Sequence, residues 1–274
     1  MKNGWSCIVY GLILNGLVGI TVQAQALPIF DTHIHYSRPD WSVLTSGQIL
    51  AILDQAGVQR ALVSSTPDDG TLQLYEAAPQ RIVPFLRPYR TREDMGSWHS
   101  DPAVQAYVEE RLKRGIYKGI GEFHLSALYA DAPTVRRFAA LAAQQQLFFH
   151  AHVDEATVEK FLRLYPQVRI LWAHAGMSAP AAAVGRLLEQ SANLWVELSM
   201  RFDITSGDRL DPAWRAVFAR YPERFMVGTD TWTTSRWNEL VSGMQHMRAW
   251  LAQLPREVAE QIAYRNAERL FGNP

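Results

Sequence analysis

Six of the eight histidines in this chain stand in or beside short apolar runs: His33 and His35 in "PIFDTHIHYSRP", His124 in "KGIGEFHL", His150 and His152 in "LFFHAHV", and His174 in "RILWAHAG". Two carboxylates, Glu122 in "GEFH" and Asp230 in "RFMVGTD", end similar runs. On an extended strand alternate side chains share a face, so His33 and His35 point the same way, and Asp31 is expected to join them. A single histidine at a strand end is usually a hydrogen-bonded core residue. Several neutral imidazoles with two carboxylates are different, because burying so many polar groups together is costly unless a cation satisfies them. The nitrogen and oxygen donors suit zinc first, with manganese, iron or nickel as alternatives, and suit calcium poorly.

Something must bring residues scattered from position 33 to position 230 to one place. Eight strand-like runs are present: "PIFDTHIH", "RALVSST", "RIVPFLRPY", "KGIGEFHL", "LFFHAHV", "RILWAHAG", "LWVELS" and "RFMVGTD". Segments with helical spacing lie between them, among them "SGQILAILDQAG", "DPAVQAYVEERLKRG", "DAPTVRRFAALAAQQQ" and "DEATVEKFLRLYP". Strict alternation implies parallel βαβ units, and eight of them predict an α/β chain folded as a single-domain (β/α)₈ TIM barrel. In that architecture chemistry belongs at the C-terminal ends of the strands. From His35 to Glu122 is three units of about 29 residues, and from Glu122 to His152 one more, which brings the polar residues to one rim.

Residues 1–26, "MKNGWSCIVYGLILNGLVGITVQAQA", have a lysine at the front, an apolar stretch and small residues at Ala24 and Ala26. This is the pattern of a signal peptide, so cleavage near Gln25 or Leu27 and an exported, periplasmic or secreted barrel over 27–274 are expected. No membrane anchor is expected after its removal. The only cysteine, Cys7, falls in this segment, leaving no thiol ligand in the barrel. With 27 basic and 27 acidic residues the chain has no net charge, which disfavours nucleic acid as a partner and leaves a small molecule as the expected substrate.

The motifs "DTHIH", "GEFH", "FFHAH", "ILWAHAG" and "MVGTD", in this order, resemble the metal-ligand motifs of the amidohydrolase superfamily, and the tail "IAYRNAERLFG" resembles the closing helix of its amidohydrolase-related branch. The resemblance spans nearly the whole chain after residue 26. It implies a metal-dependent hydrolase holding one or two divalent ions. His33 and His35 would bind the more buried ion, and His152 and His174 a second ion or the water and substrate. Asp230 would bind metal and handle protons, with His174 beside it in the chemistry. Glu122 stands where many members carry a lysine and would supply the bridging carboxylate, as in the superfamily's metal-dependent deoxyribonucleases. By the same resemblance His152 is chosen over His150, which shares its face and stays the second choice; otherwise His124 and His150 are expected to support the ligands by hydrogen bonds.

Arginines and tryptophans crowd the loops after the strands. Arg87, Arg90 and Arg201 come soonest after theirs and are expected to clamp a carboxylate or phosphate, with Trp232 as a wall of the pocket and Trp41, Trp98 and Trp237 as further candidates. His99 and His246 are expected at the surface. The resulting expectation is an exported hydrolase acting on a small anionic ester, lactone or amide. Its rivals are a metal-dependent decarboxylase of the same branch, a deoxyribonuclease, and a barrel that binds without catalysis.

Overall fold

The computed structural model describes Met1 and residues 26–272. The proposed signal segment thus lies, apart from its two ends, outside the described residues. The strands are β1 (Ile29–Ile34), β2 (Val58–Val63), β3 (Ile82–Leu86), β4 (Gly119–His124), β5 (Phe148–His152), β6 (Arg169–Trp172), β7 (Leu194–Glu197) and β8 (Phe225–Met226). They pair in sequence order, each parallel to the last. Backbone hydrogen bonds from Thr32 N to Val227 O (2.9 Å) and from Asp230 N to His33 O (2.7 Å) bridge β1 to the segment after β8, so the sheet curls into a barrel. All eight expected runs are strands.

Helices cover the outside: α1 (Ser46–Gln55), α2 (Asp69–Ala77), α3 (Pro102–Leu112), α4 (Pro133–Gln145), α5 (Glu155–Leu164), α6 (Ala181–Gln190), α7 (Pro212–Arg220) and α8 (Arg236–Leu251). Their starts follow the expected chemistry. Thr45 and Gln48 form a capping box on α1, Asp154 accepts from Thr157 N at 2.8 Å on α5, and Pro102 occupies the first turn of α3 behind the cap Asp101. Among the described residues no helix is long and apolar enough to cross a membrane.

The barrel has two apolar regions. One lies between strands and helices, and a smaller one fills the barrel floor with Phe30, Val83, Phe85, Phe148, Leu171 and Met226. The chain's tail closes that floor. After α9 (Arg256–Glu260) and a π-helical turn (Gln261–Arg265), α10 (Asn266–Phe271) sets the Phe271 ring 5.0 Å from Phe148 and 5.5 Å from Phe85. Buried Asn266 donates to the carbonyls of Pro222 and Phe225, both at 2.8 Å, and so ties the tail to β8. With the bottom plugged, the barrel's interior communicates with solvent at its C-terminal mouth.

The strand β5 shows how the layers stack. Phe148, His150 and His152 lie on one face at alternate positions, with Phe148 in the floor and His152 half-buried at the mouth. In β1 the register shifts between Asp31 and Ile34, and Asp31 does not join His33 and His35. Its carboxylate instead accepts from His33 N and Thr229 N, each at 3.0 Å, and from Thr229 Oγ1 at 2.6 Å, fastening β1 to the segment after β8. Burial pushes the Asp31 carboxyl up to about 7.

Candidate metal centre

At the mouth the side chains of β1, β4, β5, β6 and the segment after β8 converge. His33 Nε2 lies 3.2 Å from His35 Nε2 and 3.6 Å from Asp230 Oδ1, and His35 Nε2 lies 3.3 Å from that same oxygen. Glu122 reaches both imidazoles, with Oε1 3.5 Å from His33 Nε2 and Oε2 3.2 Å from His35 Nε2. On its other side Glu122 Oε1 is 2.8 Å from His152 Nδ1 and 3.4 Å from His174 Nε2, which are 3.2 Å from each other. Glu122 is therefore shared by two groups of donors, one of His33, His35 and Asp230 and one of His152 and His174.

The hydrogen bonds behind these residues settle where their lone pairs point. His33 Nδ1 donates to Glu197 Oε2 at 2.8 Å, His35 Nδ1 to Ser64 O, and His174 Nδ1 to Ser199 O at 3.1 Å. Each ring that donates through Nδ1 presents an unprotonated Nε2 to the centre. Asp230 Oδ1 is buried and has no hydrogen-bond partner among the described residues. Several lone pairs thus face one another with no hydrogen between them, which is repulsive unless a cation or a proton lies among them. The spacing fits a cation: ligand bonds of about 2.0–2.1 Å in a tetrahedron put donors about 3.3 Å apart.

The electrostatics agree. Burial by itself would lower the His33 pKa, but the charges of Asp230, Glu122 and Glu197 carry it well above its usual value. Burial would raise Glu122, yet His33, Arg87 and the bond from His152 hold it well below the usual carboxylate range. Asp230 is likewise lowered against its burial, mainly by His33. In the absence of a metal, the same field favours a proton on His33.

Two glycines make room beneath the centre. A Cβ on Gly121, whose φ is +128°, would stand 2.2 Å from His150 O, and one on Gly228 would stand 2.4 Å from Glu197 Oε1 and 2.7 Å from His33 Cβ. The ligand loops are held in unusual conformations. His174 and Ala175 have φ of +56° and +46° in the turn Ala173–Gly176, and Asp230 has φ of +52°. Such backbone persists only where its surroundings enforce it. Arg201 Nη1 and Nη2 hold the first turn through the carbonyls of Ala175 and Ala179, both at 2.9 Å, and Arg236 holds the second through the carbonyls of Asp230 (2.6 Å) and Thr229 (2.8 Å).

Several expectations are corrected by these contacts. Arg201 does not reach the mouth, because its guanidinium is taken by those carbonyls and by Asp203 and lies over the Trp214 ring. Arg87 reaches it, but toward Glu122, with Nη2 2.7 Å from Oε2 and Nε 3.1 Å from the backbone oxygen. Arg90 borders the cavity, with its guanidinium paired to Asp94 and Asp101. Trp232 is half exposed and lines the cavity over the ligands, whereas Trp98 and Trp237 are core residues and Trp41 is tied to Tyr36 O. His99 is buried against Tyr129 instead of exposed, while His246 is exposed.

His124 and His150 stand beside the ligands but, contrary to expectation, neither hydrogen-bonds to one of them. Tyr89 links to His124 at Nδ1 (3.2 Å) and at its backbone N–H (2.7 Å), and the ring packs on His152 at 4.1 Å. Burial lowers its pKa to about 3. His150 lies below His33, fully buried, and neither ring nitrogen has a hydrogen-bond partner among the described residues. Glu197 escaped the sequence reading altogether. It ends β7, accepts from His33 and from Ser199 Oγ (2.9 Å), and meets His174 N at 3.2 Å, touching ligands of both groups. The signal available was a glutamate inside the apolar run "LWVELS", since a glutamate is almost never fully buried without partners.

A family model described as "Amidohydrolase" matches residues 30–272. Among solved structures, two proteins provisionally described as 2-pyrone-4,6-dicarboxylic acid hydrolases share the fold. The one from Pseudomonas putida is 20% identical with a TM-score of 0.62, covering 90% of this chain and 98% of the other. The one from Acinetobacter baumannii is 13% identical with a TM-score of 0.58, covering 89% and 99%. A TatD homolog from Escherichia coli is 18% identical with a TM-score of 0.59, covering 90% and 98%. At these identities the likeness is one of fold. Comparison with curated proteins finds no match. The family match over nearly all of the barrel, with the donor set at its mouth, shows that this chain belongs to the amidohydrolase family of metal-dependent hydrolases.

Proposed function

We propose that the protein is an exported enzyme that hydrolyses a small anionic ester, lactone or amide with one or two divalent ions, zinc being the first candidate. His33, His35 and Asp230 would hold one ion, His152 and His174 a second, with Glu122 shared between them. A metal in such a site polarises a carbonyl oxygen and makes water a stronger acid. Asp230 takes the proton of the attacking water, since its carboxylate is ionised and its Oδ1 has no other partner. The same proton is then available to the leaving group. Arg87 holds Glu122 from behind, and Glu197 and Ser199 orient His33 and His174.

The observation that carries this reading is the unpartnered Oδ1 of Asp230 among the Nε2 atoms of His33 and His35, at the edge of a cavity of roughly 690 Å³. That volume is within the range of about 300–1,000 Å³ usual for small-molecule sites. An anionic substrate is supported by the arginines of the cavity wall, and one structural neighbour, described as a probable 2-pyrone-4,6-dicarboxylic acid hydrolase, holds citric acid. Metal content and turnover on a panel of esters, lactones, amides and aromatic acids, measured on one preparation, test the reading. Acid released from an ester or lactone is expected. Carbon dioxide released without hydrolysis would replace the hydrolase by a decarboxylase. Mass spectrometry of natively expressed protein tests export: a start near Gln25 or Leu27 is expected, and an intact Met1 would contradict it.

A further inference from the structure

The metal centre opens into two cavities. The larger, of roughly 690 Å³, rises over the loops after β1, β3 and β8, and a second of roughly 530 Å³ rises over the loops after β3 through β6. His124, His152, Met95 and Met177 line both, so the two are lobes of one groove that meets at the ligands.

The lobes differ in their charged groups, although both carry apolar surface, Tyr89, Met200 and Trp232 in the first. In the first, Arg38 and Arg92 line the wall, and neither guanidinium has an ion-pair partner among the described residues, in contrast to Arg87 and Arg90 beside them. Arg38 is steadied by the Trp41 ring, 5.4 Å away. Glu93 is an exposed carboxylate on the same wall. In the second lobe the rings of His99 and Tyr129 stack at 4.0 Å with an angle of 17°, and Leu125 continues the surface. The carboxylate there, Asp154, is engaged by the N–H and hydroxyl of Thr157, each bond closing the cap of α5.

We infer that the substrate is amphipathic, with a carboxylate held by Arg38 and Arg92 and an aromatic or comparably apolar group against the His99–Tyr129 wall. This rests on the hydrolase reading above, which places the bond to be cut at the ligands between the lobes. Cleavage adds the oxygen of water to the carbonyl carbon, breaks the bond to the leaving oxygen or nitrogen, and sends one proton of that water with the leaving group. A guanidinium group recognises a carboxylate, and a flat stacked wall suits a ring.

Binding separates this inference from the chemistry. Calorimetry on the metal-loaded enzyme would compare 4-oxo-4-phenylbutanoate, which has both ends, with butyrophenone, which lacks the carboxylate, and 4-oxopentanoate, which lacks the ring. We expect the first to bind at least about tenfold tighter than either, a difference of about 1.4 kcal/mol. Arg38→Met with Arg92→Met should abolish the preference over butyrophenone, and Tyr129→Ala the preference over 4-oxopentanoate. A smaller preference in the wild type, or preferences that survive these substitutions, would overturn the assignment. Turnover of phenyl hydrogen succinate is followed in parallel. Absent turnover with intact binding preferences would count against the hydrolase and leave the groove as assigned.

Discussion

At Asp230 one feature stands out that a turn-forming aspartate would not need: Oδ1 is buried without a partner among the described residues, whereas the φ of +52° is one that aspartates in turns also adopt. The buried oxygen is explained if the carboxylate must face the ligands and the water between them. Asp230→Asn keeps the shape and removes the base, so turnover should fall about a hundredfold or more with the protein still folded. Near-normal turnover would move proton transfer to His152 or His174. The same residues govern how pH acts. Burial opposes a charge on His33, but Asp230, Glu122 and Glu197 raise its pKa well above 6.5, which favours a proton there in the metal-free protein. A histidine that binds a metal must give up its second proton, so binding expels that proton and affinity rises with pH up to the folded pKa. Calorimetry in two buffers of different ionisation enthalpy should therefore find at least one proton released per site filled, and none would contradict this field. In the metal-free protein the raised pKa stabilises the fold fully below the ordinary value of 6.5, and that contribution fades as pH rises through the folded value. The direction of side chains is what the sequence could not convey at this scale. Arg201 and Arg38 are both loop arginines. Only the folded turn at Ala173–Gly176, with carbonyls left for a donor, decides that Arg201 is structural while Arg38 lines the cavity.

Each strand delivers its residues to the mouth through local geometry that only partly follows period-two alternation. The strands themselves were legible because each is an apolar run with helix-like sequence on either side, and the pair His33 and His35 was legible because alternate residues share a face. The shift of register in β1 was not, and it is the reason Asp31 serves the seam with Thr229 instead of the metal centre. Glu197 was hidden for a related reason: β7 is only four residues long, too short for a pattern to mark its last residue as special. Gly228, just after β8, had no visible role in sequence, yet it is what lets Glu197 approach His33. Gly228→Ala would put a methyl group 2.4 Å from Glu197 Oε1. We expect it to push Glu197 off His33, weaken metal binding and cost about 1–3 kcal/mol of stability, as overpacking does. Thermal melts with and without metal would show this, and an unchanged melting temperature with unchanged metal affinity would mean the space is not needed.

Across the whole molecule, function is concentrated at one end because the other is closed. Phe271 and the floor cluster seal the barrel, and Asn266 ties the tail to β8, which gives a physical reason for the motif "IAYRNAERLFG" that the sequence alone presented only as a likeness. The overall balance of charge left the substrate's character open, and the local imbalance at the mouth, with arginines lining one lobe and stacked rings in the other, became visible only once the loops were placed. Everything proposed for the mouth depends on the ligand set being real. Metal content of the purified protein, measured by elemental analysis beside the His33→Ala, His35→Ala double variant, tests it most directly. The account predicts one or two transition-metal ions per wild-type chain and the loss of at least one in the folded double variant. An unchanged metal content in that variant would contradict the centre described.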